Sequence, residues 1–158
     1  MSEEYAAIVA ALPLFKGYTI DGAQRIVRAG KVNAVAKGEV LFKEGDPPEF
    51  VLLVLKGTLQ VYVERHGSNM VLTDAGPSTI LGELSVLCGI PRSASVRVIE
   101  DSIVLQWPES EFRGLLVKDV SLSQRIFRKS LRTLLDKEKS LIESLTDKDE
   151  VKKSEQTA

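Results

Sequence analysis

The sequence predicts a mainly β fold flanked by helices, and two observations carry that expectation. Between about Val32 and Trp107, short apolar runs are divided by Gly, Pro and Asp turn signals at roughly eight- to twelve-residue intervals, the pattern of a sandwich or barrel rather than of a parallel sheet. On both sides of this region the apolar period lengthens to that of a helix. The chain therefore divides into an N-terminal helical segment over 1–31, a β region over 32–107, C-terminal helices over 108–145 and a polar tail over 146–158.

Taken in order, Ala6, Ile8, Val9 and Leu12 repeat at helical spacing until Pro13 ends the run. A second helix is expected from Thr19 or Asp21, either of which can cap it, with Ile20, Ile26 and Val27 facing inward. Val40-Leu41-Phe42 is a short strand that meets the turn Glu44-Gly45-Asp46-Pro47-Pro48. Phe50 to Leu55 is a continuous apolar strand expected to stop at Lys56-Gly57. Thr58 to Glu64 alternates, which places Leu59, Val61 and Val63 on one face and Gln60, Tyr62 and Glu64 on the other. A polar turn from Arg65 to Asn69 leads to a strand over Met70–Thr73, and the break at Gly76-Pro77 precedes Thr79-Ile80-Leu81. Ser95–Val98 and Ile103–Trp107 read as two further strands. Glu111, Phe112, Leu115 and Leu116 make a short helix, and a longer one is expected from Leu122 to Leu145.

That long helix carries two apolar stripes. One alternates steps of four and three through Val120, Gln124, Phe127, Leu131, Leu134, Glu138, Leu141 and Leu145; the other holds Leu122, Ile126, Leu135 and Ile142. Its first two turns are expected to pack one face on the barrel; further on, a helix apolar on two sides has more surface to bury than one small domain covers, so a homodimer through this helix is expected, the alternative being a helix that folds back on its own barrel as a lid. The tail DKDEVKKSEQTA is almost wholly polar and is expected to be disordered.

Composition narrows the function classes. The 158 residues are 44% hydrophobic and 27% charged, with a net charge of −1, so no global field attracts nucleic acid or an anionic membrane. No apolar run approaches the length needed to span a bilayer, and the acidic start MSEEYAAIV is unlike a secretory signal. Cys88 is the single cysteine and His66 the single histidine, the latter in a polar turn, so a cytoplasmic chain without disulfides, resident metal or cofactor is expected. Nucleophile–base pairs are correspondingly scarce.

The segment from Gly82 to Ala94, GELSVLCGIPRSA, carries the chemistry. A phosphate needs backbone N–H groups aimed at it and a cation beside it; Gly82 allows close backbone approach and Arg92 supplies a permanently charged, planar fork. Glu83 on its own would repel a phosphate. It makes sense if the ligand also offers a hydroxyl donor, as a ribose 2′-OH does.

This segment, in its strand-rich setting, closely resembles the phosphate-binding cassette of the cyclic nucleotide-binding domain family, and the Gly45-Asp46 and Gly57 turns resemble that family's β-roll. The resemblance covers roughly Leu14 to Val117. It implies a double-stranded β-helix, or jelly roll, with N-terminal helices and a long C-terminal helix. It further implies that the cyclic phosphate sits over the turn from Gly82 through Glu83 and Leu84 to Ser85, with Arg92 on the exocyclic oxygens and the amides of Ser93 and Ala94 completing the cradle. Glu83 would accept from the 2′-OH and hold Arg92 in line. Leu81 stands where the family often has an aromatic residue but keeps the apolar character. Val61 and Leu72, with Thr73 at the edge, are candidates for the base, and plain barrel core is an equal reading of these three. Cys88 inside the cassette is explained as a small buried hydrophobe.

The functional expectation is a cyclic nucleotide sensor, with cyclic AMP before cyclic GMP, that signals through its terminal helices to a downstream protein the sequence does not identify. Ser93 can favour guanine, although adenine-binding bacterial members of the family also carry serine there; Thr133 or Leu135 of the long helix can cap the base. The alternative is an orphan β-roll that has lost its nucleotide and serves as an interaction module, against which the paired Glu83 and Arg92 argue. An enzyme such as a phosphodiesterase is disfavoured because no His/Asp cluster stands at metal spacing. No helix-turn-helix pattern follows the long helix, so DNA binding is not expected, and neither is membrane insertion.

Overall fold

The computed structural model describes residues 2–156. Contacts divide the chain into a unit over 1–119 and a second over 120–158. The first begins with helix α1 (Ser2–Ala11), a 3-10 turn (Pro13–Phe15) and helix α2 (Ile20–Arg28). Thr19, not Asp21, caps α2, its hydroxyl oxygen accepting the Gly22 N–H at 3.0 Å. Ile26 and Val27 are buried as expected, but Ile20 is 50% exposed. As the first helical residue it precedes the turn whose stripe faces inward.

Six antiparallel strands follow: β1 (Lys31–Val35), β2 (Val40–Phe42), β3 (Phe50–Arg65), β4 (Ser68–Ala75), β5 (Ile80–Leu81) and β6 (Ser95–Pro108). They form one sheet in the order β1-β6-β3-β4, with β2 added on β6 and β5 on β3. Two expectations about the strands are corrected here. Phe50–Leu55 and Thr58–Glu64 are one strand, and so are Ser95–Val98 and Ile103–Trp107. The turn signal at Gly57 and the break between Val98 and Ile103 mark bends in two long paired strands instead of chain reversals. Pairing between β3 and β6 shifts register three times between Val54 and Leu59, as bulges do when they sharpen a sheet's curvature. Gly57 sits at this bend with φ +89°, where a Cβ would lie 2.1 Å from Ser102 Oγ. Only glycine fits there.

The inner face of the sheet encloses a core of Val35, Phe42, Leu52, Val54, Leu59, Ala75, Leu81, Val96, Val98 and Val104. The outer face of β3 is also buried, because Val51 and Leu53 stand opposite Trp107 and Leu105 of β6 on the side that carries the helices. There the Trp107 indole N–H donates to the Ile26 carbonyl of α2 at 2.9 Å. Burial on both faces explains why Phe50–Leu55 reads as an unbroken apolar run. A second seam joins the 3-10 turn to the strand system, where the Leu14 N–H donates to Ser78 Oγ at 3.1 Å.

Alternation fails near the β3–β4 hairpin. Val61 pairs with Thr73 but Tyr62 pairs with Val71, so Leu72 is an extra residue bulged out of β4. In place of the expected in-and-out order, Tyr62 and Val63 are both buried and Val61 is half-buried. Tyr62 is covered by the Arg97 guanidinium, 4.6 Å over its ring, which itself is held by Gln60 Oε1. His66 and Gly67 form the hairpin turn, so the lone histidine is indeed a turn residue.

Helix α3 (Glu83–Cys88) interrupts the strands between β5 and β6, and α4 (Glu109–Lys118) completes the first unit. Cys88, expected to be buried, is exposed at the last turn of α3. The second unit is helix α5 (Val120–Gln156). It begins two residues before the expected start and runs through residues 146–156, expected to be disordered; Thr157 and Ala158 lie outside the described residues. The tail is polar but rich in Glu, Lys and Gln, which are good helix formers, and Asp149 precedes Lys153 at the favourable i, i+4 spacing. Along α5, Phe127, Leu131, Leu134, Leu141 and Leu145 are exposed. Among the described residues no helix is long and apolar enough to cross a membrane.

Trp107→Phe removes the bond to Ile26 and leaves a buried acceptor unmet, a loss of about 1–3 kcal/mol. A urea titration is expected to show an earlier midpoint with an unchanged slope.

Candidate functional site

Glycine at position 82 is required twice over. The residue caps α3 with φ +82°, and a Cβ there would lie 2.3 Å from Nη1 of Arg92. The close approach is the point of the arrangement, because Arg92 Nη1 donates to the Gly82 carbonyl at 2.9 Å. Its Nη2 donates to the Phe50 carbonyl at the start of β3. The guanidinium lies between two rings, 4.1 Å from the centre of Phe42 and 5.0 Å from that of Phe50.

The backbone of Arg92 is pinned as firmly as its side chain. Its N–H donates to the Asp46 carbonyl at 2.9 Å, and its own carbonyl accepts the Gly45 N–H at 2.8 Å. Asp46 in turn closes its loop by accepting the Lys43 N–H on Oδ2 at 2.9 Å. The turn read from Gly45-Asp46 thus serves to hold a residue almost fifty positions away.

Arg92 is 2% exposed, yet its Nε has no hydrogen-bond partner. Burial pushes the guanidinium pKa down from its usual value, and the fields of the Asp46, Glu49 and Glu83 carboxylates oppose that shift. Its Nη atoms donate to the Gly82 and Phe50 carbonyls. Glu83, at the first turn of α3, acts on Arg92 through its field. A buried cation with a donor left over is poised for an incoming anion.

Beside it lies a cavity of about 80 Å³. Of the residues expected from sequence, Val61, Leu81, Gly82, Ser85, Arg92, Ser93 and Ala94 line it. Glu83 and Leu84 are in α3 but outside this lining, and Leu72 and Thr73 are not brought to it either. The bulge accounts for Leu72, which is 49% exposed, while Thr73 stands directly opposite Val61 on an exposed edge strand. Sequence reasoning missed Phe42 and Val96, which line the cavity. Val96 was legible in principle, since it follows Ala94 at the strand period of two. Phe42 was recognised only as a strand residue. Among the described residues no group of three or more His, Cys, Asp or Glu side chains could hold a metal ion.

One link joins this site to α4, and a second ties α4 to the segment before α2. Arg113 of α4 donates through Nη2 to the Val86 carbonyl in α3 while its Nε pairs with Glu109 at 3.1 Å. Asp119, at the end of α4, accepts the Tyr18 hydroxyl at 2.7 Å, across 101 residues of sequence.

The geometry has counterparts among known proteins. The sequence model described as cyclic nucleotide-binding domain matches residues 32–119. Over 115 residues the chain is 30% identical to the cAMP-dependent protein kinase regulatory subunit of Blastocladiella emersonii, covering 72% of this chain and 28% of that one. The fold superposes on the Thermus thermophilus catabolite activator protein with a TM-score of 0.74 at 23% identity, covering 82% of this chain and 61% of that one. A cAMP-binding acyltransferase from Mycobacterium smegmatis superposes with a TM-score of 0.68 at 28% identity, covering 80% and 40%. The chain spans less than a third of the length of the kinase regulatory subunit and of two potassium channel proteins that it also matches.

Gly82→Ala is expected to cost about 1–2 kcal/mol from the left-handed backbone alone and to drive Arg92 off the Gly82 carbonyl. Urea denaturation measures the loss of stability, and a crystal structure of the variant would show the displaced guanidinium.

Proposed function

The chain belongs to the cyclic nucleotide-binding domain family, and we propose that it is a cytoplasmic, non-catalytic sensor that binds cyclic AMP in preference to cyclic GMP. The observation that carries this reading is the buried Arg92 guanidinium with its unmatched Nε beside the cavity. Such a group is costly to maintain in a ligand-free protein. An exocyclic phosphate oxygen would supply both the missing acceptor and the missing charge. In this reading the N–H groups opening α3 around Glu83, Leu84 and Ser85, together with the amides of Ser93 and Ala94, complete the phosphate cradle. Glu83 accepts from the ribose 2′-OH. Val61 and Leu81 contact the nucleotide on the apolar side, with Thr73 at the rim and Leu72 reaching it only if the bulge in β4 rearranges. The names of the kinase subunit and the acyltransferase support cyclic AMP.

A cavity of about 80 Å³ is well below the roughly 300–1,000 Å³ of ligand sites, so binding must open it. The natural opening step is exchange of the Phe50 carbonyl for phosphate at Arg92, which would loosen the start of β3. Glu109 donates its N–H to the carbonyl of Glu49 at 2.9 Å, so that movement would reach α4 directly. The bond from Arg113 to Val86 provides a second route from cassette to helix. Through these elements ligand occupancy would be passed to a downstream protein.

Calorimetric titration with cyclic AMP and cyclic GMP tests the reading. Binding of cyclic AMP is expected, with the nucleotide recovered unhydrolysed. Arg92→Ala and Glu83→Ala each remove a charge-assisted hydrogen bond worth about 1.5–3 kcal/mol, or ten- to more than a hundredfold in affinity. If both variants titrate like the wild type, the site assignment is wrong.

We further propose that α5 joins two copies of the chain. The exposed series Phe127, Leu131, Leu134, Leu141 and Leu145 supports this, since with Glu138 between Leu134 and Leu141 it alternates steps of four and three, the spacing of a coiled-coil seam. Leu134→Glu is expected to yield a monomer in sedimentation equilibrium that still binds nucleotide.

A further inference from the structure

One short stretch of chain grips Arg92 at both ends. The turn after β2 takes its backbone, through the Asp46 carbonyl and the Gly45 N–H. Phe42, the last residue of β2, takes its side chain, with the guanidinium carbon 4.1 Å from the ring centre. Phe42 is itself fixed. It is buried in the core with Leu81 and Val96, and it pairs with Val96 across the β2–β6 ladder. Phe50 braces it edge to face, with ring centres 5.9 Å apart. Phe42, Val96 and Arg92 line the same cavity, whereas Phe50 stands outside that lining.

We infer that Phe42 is the positioning residue of this site: its ring fixes the plane of the Arg92 guanidinium and leaves the Nε edge for the anion. Affinity for a phosphate ester then depends on an apolar side chain that makes no hydrogen bond of its own. The inference rests on the nucleotide-binding reading above. A free arginine side chain has many rotamers, and an anion that must order it binds more weakly by that cost. Here the two terminal nitrogens already donate to carbonyls and a ring lies against the group. Phe50 is unsuited to the same task. In the proposed exchange its carbonyl gives way to phosphate and the start of β3 loosens, so its ring moves with it. Phe42 stays, because its ladder is with β6 and not with β3. The guanidinium thus keeps one fixed face while its acceptors change. A leucine in place of Phe42 keeps the wall apolar but lacks the negative face of an aromatic ring, on which a planar cation stacks.

Calorimetry on the full chain with two ligands tests this. Cyclic AMP carries the phosphate; adenosine shares its base and ribose and carries none. Phe42→Leu is expected to weaken cyclic AMP about two- to thirtyfold, the range of a cation–π contact, and to leave adenosine within about twofold of wild type. In an Arg92→Ala background the same substitution is expected to have no further effect on cyclic AMP. Phe42→Met, which also lacks a ring, is expected to behave alike and replaces Phe42→Leu if that variant does not fold. Equal weakening of both ligands, or an undiminished effect without Arg92, makes Phe42 a plain wall of the nucleoside pocket and overturns the inference. In the ligand-free protein, solvent exchange of the Arg92 Nε–H, followed by NMR, reports the clamp directly. Phe42→Leu is expected to speed it, and an unchanged rate overturns the inference whether or not nucleotide binds. A wild type that binds neither ligand overturns the nucleotide-binding reading and leaves the exchange rate to decide on Phe42.

Discussion

A guanidinium buried inside a small β domain organises this protein. Arg92 is 2% exposed, and the chain meets the cost of its burial with carbonyls, aromatic faces and carboxylate fields. Each of these partners comes from a different part of the sequence: Phe42 ends β2, Asp46 lies in the following turn, Phe50 begins β3, and Gly82 caps α3. Holding one cation therefore sets the relative positions of four segments. The remaining unmatched donor keeps the arrangement short of complete satisfaction, and it is this deficit on which the proposed binding of an anion rests.

The same economy relates the site to the helices of its unit. Helix α3 is short and cannot stand alone, so its position depends on what holds its two ends. Gly82 and Arg92 hold the first, and Arg113 of α4 holds the last turn through the Val86 carbonyl. A change at the Gly82 end thus has a hydrogen-bonded path into α4, whose own end is tied to Tyr18 by Asp119. These bonds are few and partly exposed, unlike the Trp107–Ile26 anchor, which is wholly buried. Local opening draws on weakly buried elements, and these bonds are less buried than that anchor.

Much of the site was legible because its requirements are local. Gly82 and Arg92 announce a tight cap and a permanent cation within thirteen residues, and Val61, Leu81, Ser85, Ser93 and Ala94 follow from the cassette and its neighbouring strands. Leu72 was misread because strand alternation presumes an unbroken ladder, and one inserted residue shifts the facing of those beside it. Cys88 was misread for a related reason. Its type favours burial, but its place at the end of a six-residue helix next to a left-handed Gly89 puts it in solvent. The tail over 146–156 shows the opposite error, since polarity alone does not separate a solvated helix from disorder.

By itself the sequence determined the antiparallel β class, the helical ends, a cap for α2 at Thr19 or Asp21, the polar turn from Arg65 to Asn69 and the two charged residues of the cassette. Each of these depends on a residue's own conformational preference or on near neighbours in the chain. Only the tertiary structure decided that Gly57 bends a strand instead of ending it, since a bend and a reversal share the same local signal and differ in what the next residues pair with. It also decided that Arg92 is served by the carbonyls of Phe50 and Gly82, and that Phe42 stacks on it. Those contacts join segments far apart in sequence, and a buried charge selects among the acceptors and rings that folding brings within reach.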